Sequence, residues 1–534
     1  MNIKSLFFAL VVGSLFLGGC QNWLDFDPTN AQTEDTFYKN RSDAYMALIA
    51  IYEPLRSDYT HSYHPLAMVS DILSDDMYAG GGSASDMLTW QNMARFRAIA
   101  DEDTPRAMWK KNYRGISRAN MLISKYEGID FMESEVKDRD NFLGEATFLR
   151  GHYYYELLRF YENIPLILEP ISGEDWQGMQ QADPASVYAQ VAQDMLDGIE
   201  LMSESTPENG RLSQYAAKAE LVKVFLFYTG FYNQSTLPVA DGSSFSRADA
   251  LAMAEDILNN SGATLMQNFA ELFSIEGDFC KEVLFEIPFV DNGSGDWHDA
   301  KMGNMQCHMS GPRGYNSVNL LKGGWGFGIP TKDLARSFSH EDQRRTATLL
   351  SAQELMDAEG AGSFEASYTN TGYFAFKYST HADREPISGS VELNWAQNYH
   401  YIRLADVYLM AAELQLAEGN AGKAMEYVNI IRERAGLAGL TSISQEDILQ
   451  ERRLELALEG HRYFDLLRQG LDYASNKISV TSYNMETNED EPAMGDVGME
   501  SNYLVNFDRT KKGFFPIPRY ELDLNPEFNQ NAGY

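Results

Sequence analysis

Apolar residues recur at three- and four-residue steps through most of the first half of this chain, and that spacing predicts amphipathic helices. Such stretches run over residues 41–55, 105–126, 141–161, 187–201, 214–232 and 247–258. In the second, Trp109, Tyr113, Ile116, Asn120 and Ile123 fall on one side. Residues 401–437 read as two helices joined by a short turn at Gly419-Asn420. Alternation replaces this period at 282–290 and 372–380, which predicts two strands. Residues 448–470 mix both kinds of signal. Arg452, Glu455, Glu459, Arg462 and Asp465 fall at steps of 3, 4, 3 and 3, a charged stripe able to pair along one helix side. Apolar residues crowd both flanks, and so many Arg among Glu suit forked pairs inside a packed structure. Gly460 marks a break or a close contact, because glycine is unfavourable inside a helix.

Between the helical blocks lie two stretches of another texture. Residues 79–91 are Gly- and Ser-rich and lead to Trp90, and residues 291–330 are Gly-rich and carry Trp297, Tyr315 and Trp325. Loops of that length in a folded chain usually carry function. Trp109 and Trp395 sit in helix-forming or helix-leading sequence and read as core; Trp23 and Trp176 lie in a tether and a linker. Exclusion therefore leaves Trp90, Trp297 and Tyr315 as a stacking platform, with Tyr78 and Trp325 as further candidates. Arg313, Asn92 and Asn304 are the nearest polar partners in the sequence. Indole and phenol rings suit the apolar C–H faces of sugars, while amide and guanidinium groups suit their hydroxyls.

Catalytic signatures such as HExxH, GxSxG, GxxxxGK and CxxC do not occur. Asp71, Asp75 and Asp76 form an acidic cluster, read as a helix end with solvated acids in preference to a catalytic pair. Arg150 reads as one half of an ion pair at the core edge. The acidic run 488–491 with Asp496 could hold calcium but lacks EF-hand spacing, and a solvated loop is the better reading; no other cofactor is expected. Cys280 and Cys307 could form a disulfide or stay as buried thiols.

Length and charge narrow the picture. The 534 residues can bury a large core, and 77 Asp+Glu against 43 Lys+Arg give a formal net charge of −34. Such a surface repels nucleic acid, and argues weakly against strongly sulfated or uronate-rich ligands. Residues 1–20 read as an export signal, with Lys4, an apolar run and then Leu17-Gly18-Gly19-Cys20. That ending resembles a bacterial lipobox, whose Cys is lipidated. After it, no apolar run reaches the roughly 20 residues of a membrane-spanning helix.

The string at 451–470, ERRLELALEGHRYFDLLRQG, resembles the C-terminal signature of the SusD/RagB family of nutrient-binding outer-membrane lipoproteins. Four other motifs agree in order: the lipobox, the helix and turn over 141–165, the hairpin over 401–437, and the tail 514–534 with Pro516, Pro518, Asn525, Pro526, Gln530 and Asn531. The 401–437 and 214–258 segments also resemble tetratricopeptide repeats, at irregular spacing. The resemblance implies a mostly α-helical, SusD-like fold. Irregular tetratricopeptide-like hairpins, four in all, would support a loop-rich ligand-binding half with a few short strands. Residues 1–19 would be the signal peptide, 20–32 a lipidated tether and 33–534 one domain, with helices within about 40–260 and 399–470 and binding insertions at about 57–104 and 282–398. It further implies a non-catalytic, surface-exposed outer-membrane protein, anchored by lipid at Cys20, that captures oligosaccharide or polysaccharide and caps a SusC-like TonB-dependent transporter. A peptide-capturing lid and an exported glycosidase are the alternatives.

Overall fold

The computed structural model describes residues 36–56, 64–171, 173, 175–297, 302–315, 319–359, 363–480 and 503–534. Cys20, the tether and the 488–491 acidic run lie outside them.

Eight helices make four antiparallel hairpins: α1 (Arg41–Arg56) with α2 (Asp103–Lys125), α3 (Val136–Tyr161) with α4 (Pro184–Leu201), α5 (Gln214–Phe231) with α6 (Arg247–Asn260), and α7 (Leu404–Ala417) with α8 (Ala421–Arg434). Each hairpin stacks on the next, through α2 on α3, α4 on α5 and α6 on α7. Local chemistry sets several starts. Pro begins α4, the Ser213 side chain accepts from the Ala216 N–H to cap α5, and Ser246 and Asp249 form a reciprocal capping box on α6. α3 starts five residues before the expected 141, and α5 and α6 end within two residues of expectation.

Two insertions interrupt this scaffold. One separates α1 from α2, and the other separates α6 from α7. They meet in an antiparallel pair of strands, β1 (Met77–Gly80) and β5 (Phe327–Pro330), with Tyr78 opposite Ile329 and Gly80 opposite Phe327. Three more two-stranded ribbons complete the described strands: β2 (Thr236–Pro238) with β3 (Ser244–Ser246), β4 (Val283–Ile287) with β8 (Tyr399–Arg403), and β6 (Leu349–Ser351) with β7 (Tyr373–Ala375). The expected strands at 282–290 and 372–380 thus correspond to β4 and β7, each shortened. Residues 401–403, expected to open a helix, belong to β8, because the β4 edge pairs with them.

After α8 come α9 (Gln445–Glu455) and α10 (Arg462–Leu467). The charged stripe of 448–470 is therefore not one helix. Leu458 (φ 62°) and Gly460 (φ 82°) turn the chain between them. A Cβ on Gly460 would sit 2.7 Å from the Ala67 Cα, so the break doubles as a close contact with the first insertion. The stripe's charges pair mainly outward, in the core. Glu459 accepts from Arg403 Nε and Nη2 at 2.8 and 2.7 Å and from Lys377 Nζ at 2.7 Å. Arg403 also donates to Glu282 at 2.7 Å and Glu455 at 3.0 Å, and Arg344 to Glu451 at 2.6 Å. Arg452 bridges Asp406 and Asp465.

The acidic cluster is not solvated. Asp71 and Asp76 are fully buried, and Asp75 nearly so. Arg462 grips Asp75 through two bonds of 2.8 Å, Arg453 donates to Asp76 at 2.8 Å, and the Gly460 N–H donates to the Asp71 carboxyl at 3.1 Å. The acids lock the first insertion to the 448–470 segment. Arg150 does pair at the core, donating to both oxygens of Asp194 at 2.7 and 2.8 Å. Cys280 and Cys307 are free thiols, and Cys307 donates to Gln397 Oε1 at 3.2 Å. In the tail, buried Asn531 donates to the carbonyls of Tyr161 and Phe515 at 2.7 and 2.8 Å, clamping the C-terminus onto α3.

Candidate functional site

The β1–β5 pair forms the floor on which both insertions present side chains. Beside it opens a cleft of about 670 Å³. Its walls take in Asp86 to Thr89, Asp101 to Asp103, Arg313, Trp325 and Phe327. The Trp325 wall is built by backbone threading. The Trp325 N–H donates to the His308 carbonyl at 2.9 Å, and the Gly324 and Gly326 N–H groups donate to Pro312 and Gly311 at 2.9 Å. A Cβ on Gly324 would lie 2.5 Å from the His308 oxygen, which explains the Gly-rich run before the indole.

Half-buried Trp325 lies beside Trp297, with centroids 6.1 Å apart and planes 15° from parallel. Two large rings therefore share one orientation, and one of them, Trp325, lines the cleft. His308 packs its edge against Trp325 at 5.1 Å and 88°, and burial holds that imidazole at a pKa of about 4, so it supports the indole as a neutral ring. Arg313 Nη1 donates to the Trp325 carbonyl at 3.4 Å, which places a guanidinium beside the same ring.

The other expected platform residues lie elsewhere. Trp90 belongs to a short helix, Leu88–Ala94, and not to a loop; the left-handed Met87 before it turns the indole inward. It is 0% exposed, donates from Nε1 to His64 Nδ1 at 3.2 Å and meets the Phe327 edge at 5.6 Å. Such a ring has no face to offer a ligand. Tyr315 is buried too, in a small second core with Leu321, Leu350, Leu355 and Phe374. Tyr78 lines a different cavity of about 370 Å³, edge-on to Tyr503 at 5.4 Å. Asn92 donates to Glu102 and so braces an acid of the cleft. Asn304 is buried, caps the helix Met305–Ser310 and donates to the Gln397 carbonyl at 3.0 Å. The structure thus brings together Trp297, Trp325 and Arg313. Asp86, a lone acid inside the Gly- and Ser-rich stretch, and residues 101–103, whose only signal is an acidic run before the helix predicted at 105–126, were missed.

Among the described residues, two groups, the buried His152, Glu156 and Glu220, and Asp278, Glu286 and His400, each place three potential ligand atoms within 4.8 Å of one another. Both are already paired to cations. Arg159 binds Glu156, and Arg384 donates to Asp278 at 2.8 Å.

The architecture has close relatives. A family model described as the SusD family matches residues 281–534, and one described as starch-binding associating with outer membrane matches residues 22–226. A solved laminarin binding SusD-like protein superposes with a TM-score of 0.78 at 31% identity, covering 93% of this chain and 100% of its own. The chain belongs to the SusD family. Its mostly helical fold is shared with surface glycan-binding protein A from Bacteroides thetaiotaomicron, solved in complex with laminarihexaose, at a TM-score of 0.77 and 25% identity over 92% of this chain and 100% of that one. SusD-like protein P25 of Formosa agariphila is 24% identical over 494 residues, 85% of this chain and 87% of its own. The likeness to these SusD-family structures spans more than nine-tenths of the chain, helical hairpins and insertions together.

Proposed function

We propose that this protein is a non-catalytic glycan-capturing lipoprotein. It is tethered through Cys20 to the outer face of the outer membrane and caps a SusC-like TonB-dependent transporter. The observation that carries the reading is the near-parallel Trp297–Trp325 pair, whose Trp325 lines an open cleft. Paired indoles offer flat apolar faces to sugar rings, and Arg313 beside them offers donors to hydroxyl oxygens. Relatives named for laminarin and laminarihexaose support an oligosaccharide occupant. Within the described residues no helix is long and apolar enough to cross a membrane, in keeping with attachment through the N-terminal lipid.

Titration of laminarin and a panel of other polysaccharides in affinity gels tests the site. Trp297→Ala and Trp325→Ala should each lose on the order of 2 kcal/mol of affinity, as aromatic hot spots do, while denaturation midpoints stay close to the parent. Unchanged affinity in both variants would move the site elsewhere, and release of shortened sugars by the pure protein would make it an enzyme. Purification from native membranes in mild detergent should bring down a large barrel protein; a monomer alone would count against the capping role.

A further inference from the structure

The cleft walls mix two chemistries. Trp325, Phe327 and Arg313 contribute one, and four carboxylates, Asp86, Asp101, Glu102 and Asp103, contribute the other. Arg313 is the one cation lining the described cleft, and its charge is shared: Glu365 lies 3.5 Å from its Nε. On the acidic side, Asp103 accepts from Arg106 at 2.6 Å and Asp101 lies 3.9 Å from Arg519. All four partners in those two pairs are exposed, so solvent screens them and they leave the cleft acidic. Asp86 accepts from the Gly82 N–H at 2.7 Å, and Glu102 accepts from Asn92 and from the Ile99 N–H at 3.3 Å. Burial, with Asp103 adding to it, pushes the Glu102 carboxyl above its ordinary value.

We propose that these carboxylates make the cleft selective for neutral glycans, with Asp86, Asp101, Glu102 and Asp103 accepting sugar hydroxyls and repelling uronate or sulfate groups. The proposal rests on the reading of the cleft as the glycan site. An ionised carboxylate is an acceptor only. A sugar hydroxyl opposite it donates a charge-assisted hydrogen bond, which is stronger than a neutral one. A uronate or sulfate in the same place has no proton to donate and meets like charge, which opposes binding and slows encounter. The field of the whole chain, net −34, acts in the same direction. A ring held on Trp325 therefore turns its hydroxyl edge to the acids, and an anionic ring would find one shared guanidinium against four carboxylates.

The test uses mature protein and four neutral hexasaccharides, laminarihexaose, cellohexaose, maltohexaose and mannohexaose. Each is paired with its counterpart oxidised to carboxylates at C6, and calorimetric titrations are run at about 20 mM and about 500 mM salt. For whichever neutral sugar binds, the carboxylated form should bind at least about tenfold more weakly at low salt. The gap should narrow at high salt, and again in the Asp101→Asn/Asp103→Asn variant, whose changes lie on the surface. Equal or tighter binding of the carboxylated form would overturn the selectivity and leave the glycan reading standing. A gap that ignores both salt and the variant would assign the rejection to shape and overturn the role of the acids. Binding of neither member of any pair would overturn the glycan reading, and the proposal with it.

Discussion

Replacing Glu459 by Gln should destabilise the fold sharply. The side chain keeps its size but loses its charge in a place with no water, since Glu459, Arg403 and Lys377 all have side chains with 0% exposure. Arg403 first, then Lys377, hold the Glu459 pKa near 2, against an ordinary value of 4.5 and against the opposing effect of burial. That difference corresponds to about 3 kcal/mol of stabilisation at neutral pH. Its sign follows from the direction of the shift. A carboxyl whose folded pKa is depressed stabilises fully above its unfolded value and loses that contribution as pH falls through its folded value, here between about 4.5 and 2. The substitution also takes the carboxylate from Lys377, whose ammonium keeps the Glu455 carbonyl at 3.1 Å and lies 5.0 and 4.9 Å from the ring centres of Phe269 and Phe273, so the expected loss is about 3–5 kcal/mol. Urea denaturation at pH 7 of the parent, Glu459→Gln, Lys377→Met and the double variant measures it. The double variant should be more stable than the sum of the single losses implies, because the buried ammonium that lost its carboxylate is gone. Toward pH 2 the parent and Glu459→Gln should converge. A loss under about 1 kcal/mol at pH 7 would refute the reasoning and show that the network relaxes around a neutral partner.

Two further substitutions separate scaffold from site. Trp90→Ala should cost about 3–5 kcal/mol of stability by opening a cavity against Phe327 and His64, seen as an early denaturation midpoint; a midpoint like the parent's would mean that the ring is not packed. Gly460→Ala should cost about 3 kcal/mol or more, because a side chain there meets the Ala67 backbone at a φ of +82°; parental stability and yield would contradict the close contact.

The scaffold was legible because its signals are local. Period, caps and turn residues place the hairpins within a few residues, with Gly419-Asn420 falling between α7 and α8. The candidate site was half legible. A Gly-rich run does mark Trp325, whose backbone threads past residues 308–312, and Trp297 lies in an irregular loop as expected. The same argument failed for Trp90, because a seven-residue helix with a left-handed lead-in leaves no periodic trace. It failed for Tyr315 because a second small core, set by strands 350 and 374, lies under that loop. Both errors come from partners distant in sequence, to which composition is blind. Asp71, Asp75 and Asp76 misled in the same way, since an acidic run reads as solvated until its arginines arrive from residues 453 and 462.

That last separation has a consequence for how the protein comes into being. Asp76 meets Arg453 across 377 positions, Asp75 meets Arg462 across 387, and Asp71 meets the Gly460 N–H across 389. All the helices of the four hairpins are complete by Arg434, before any of these partners exists on a growing or emerging chain. Until residues 453–462 emerge, the insertion that carries acids of the cleft holds three carboxyls that cannot be buried without strong penalty. The cleft is therefore among the last parts of the protein to take shape, its loop-closure cost met late and over long range. A chain that emerges N-terminus first gains from that order, because the half-buried Trp297–Trp325 pair comes together after the scaffold, and a copy cut short cannot present it.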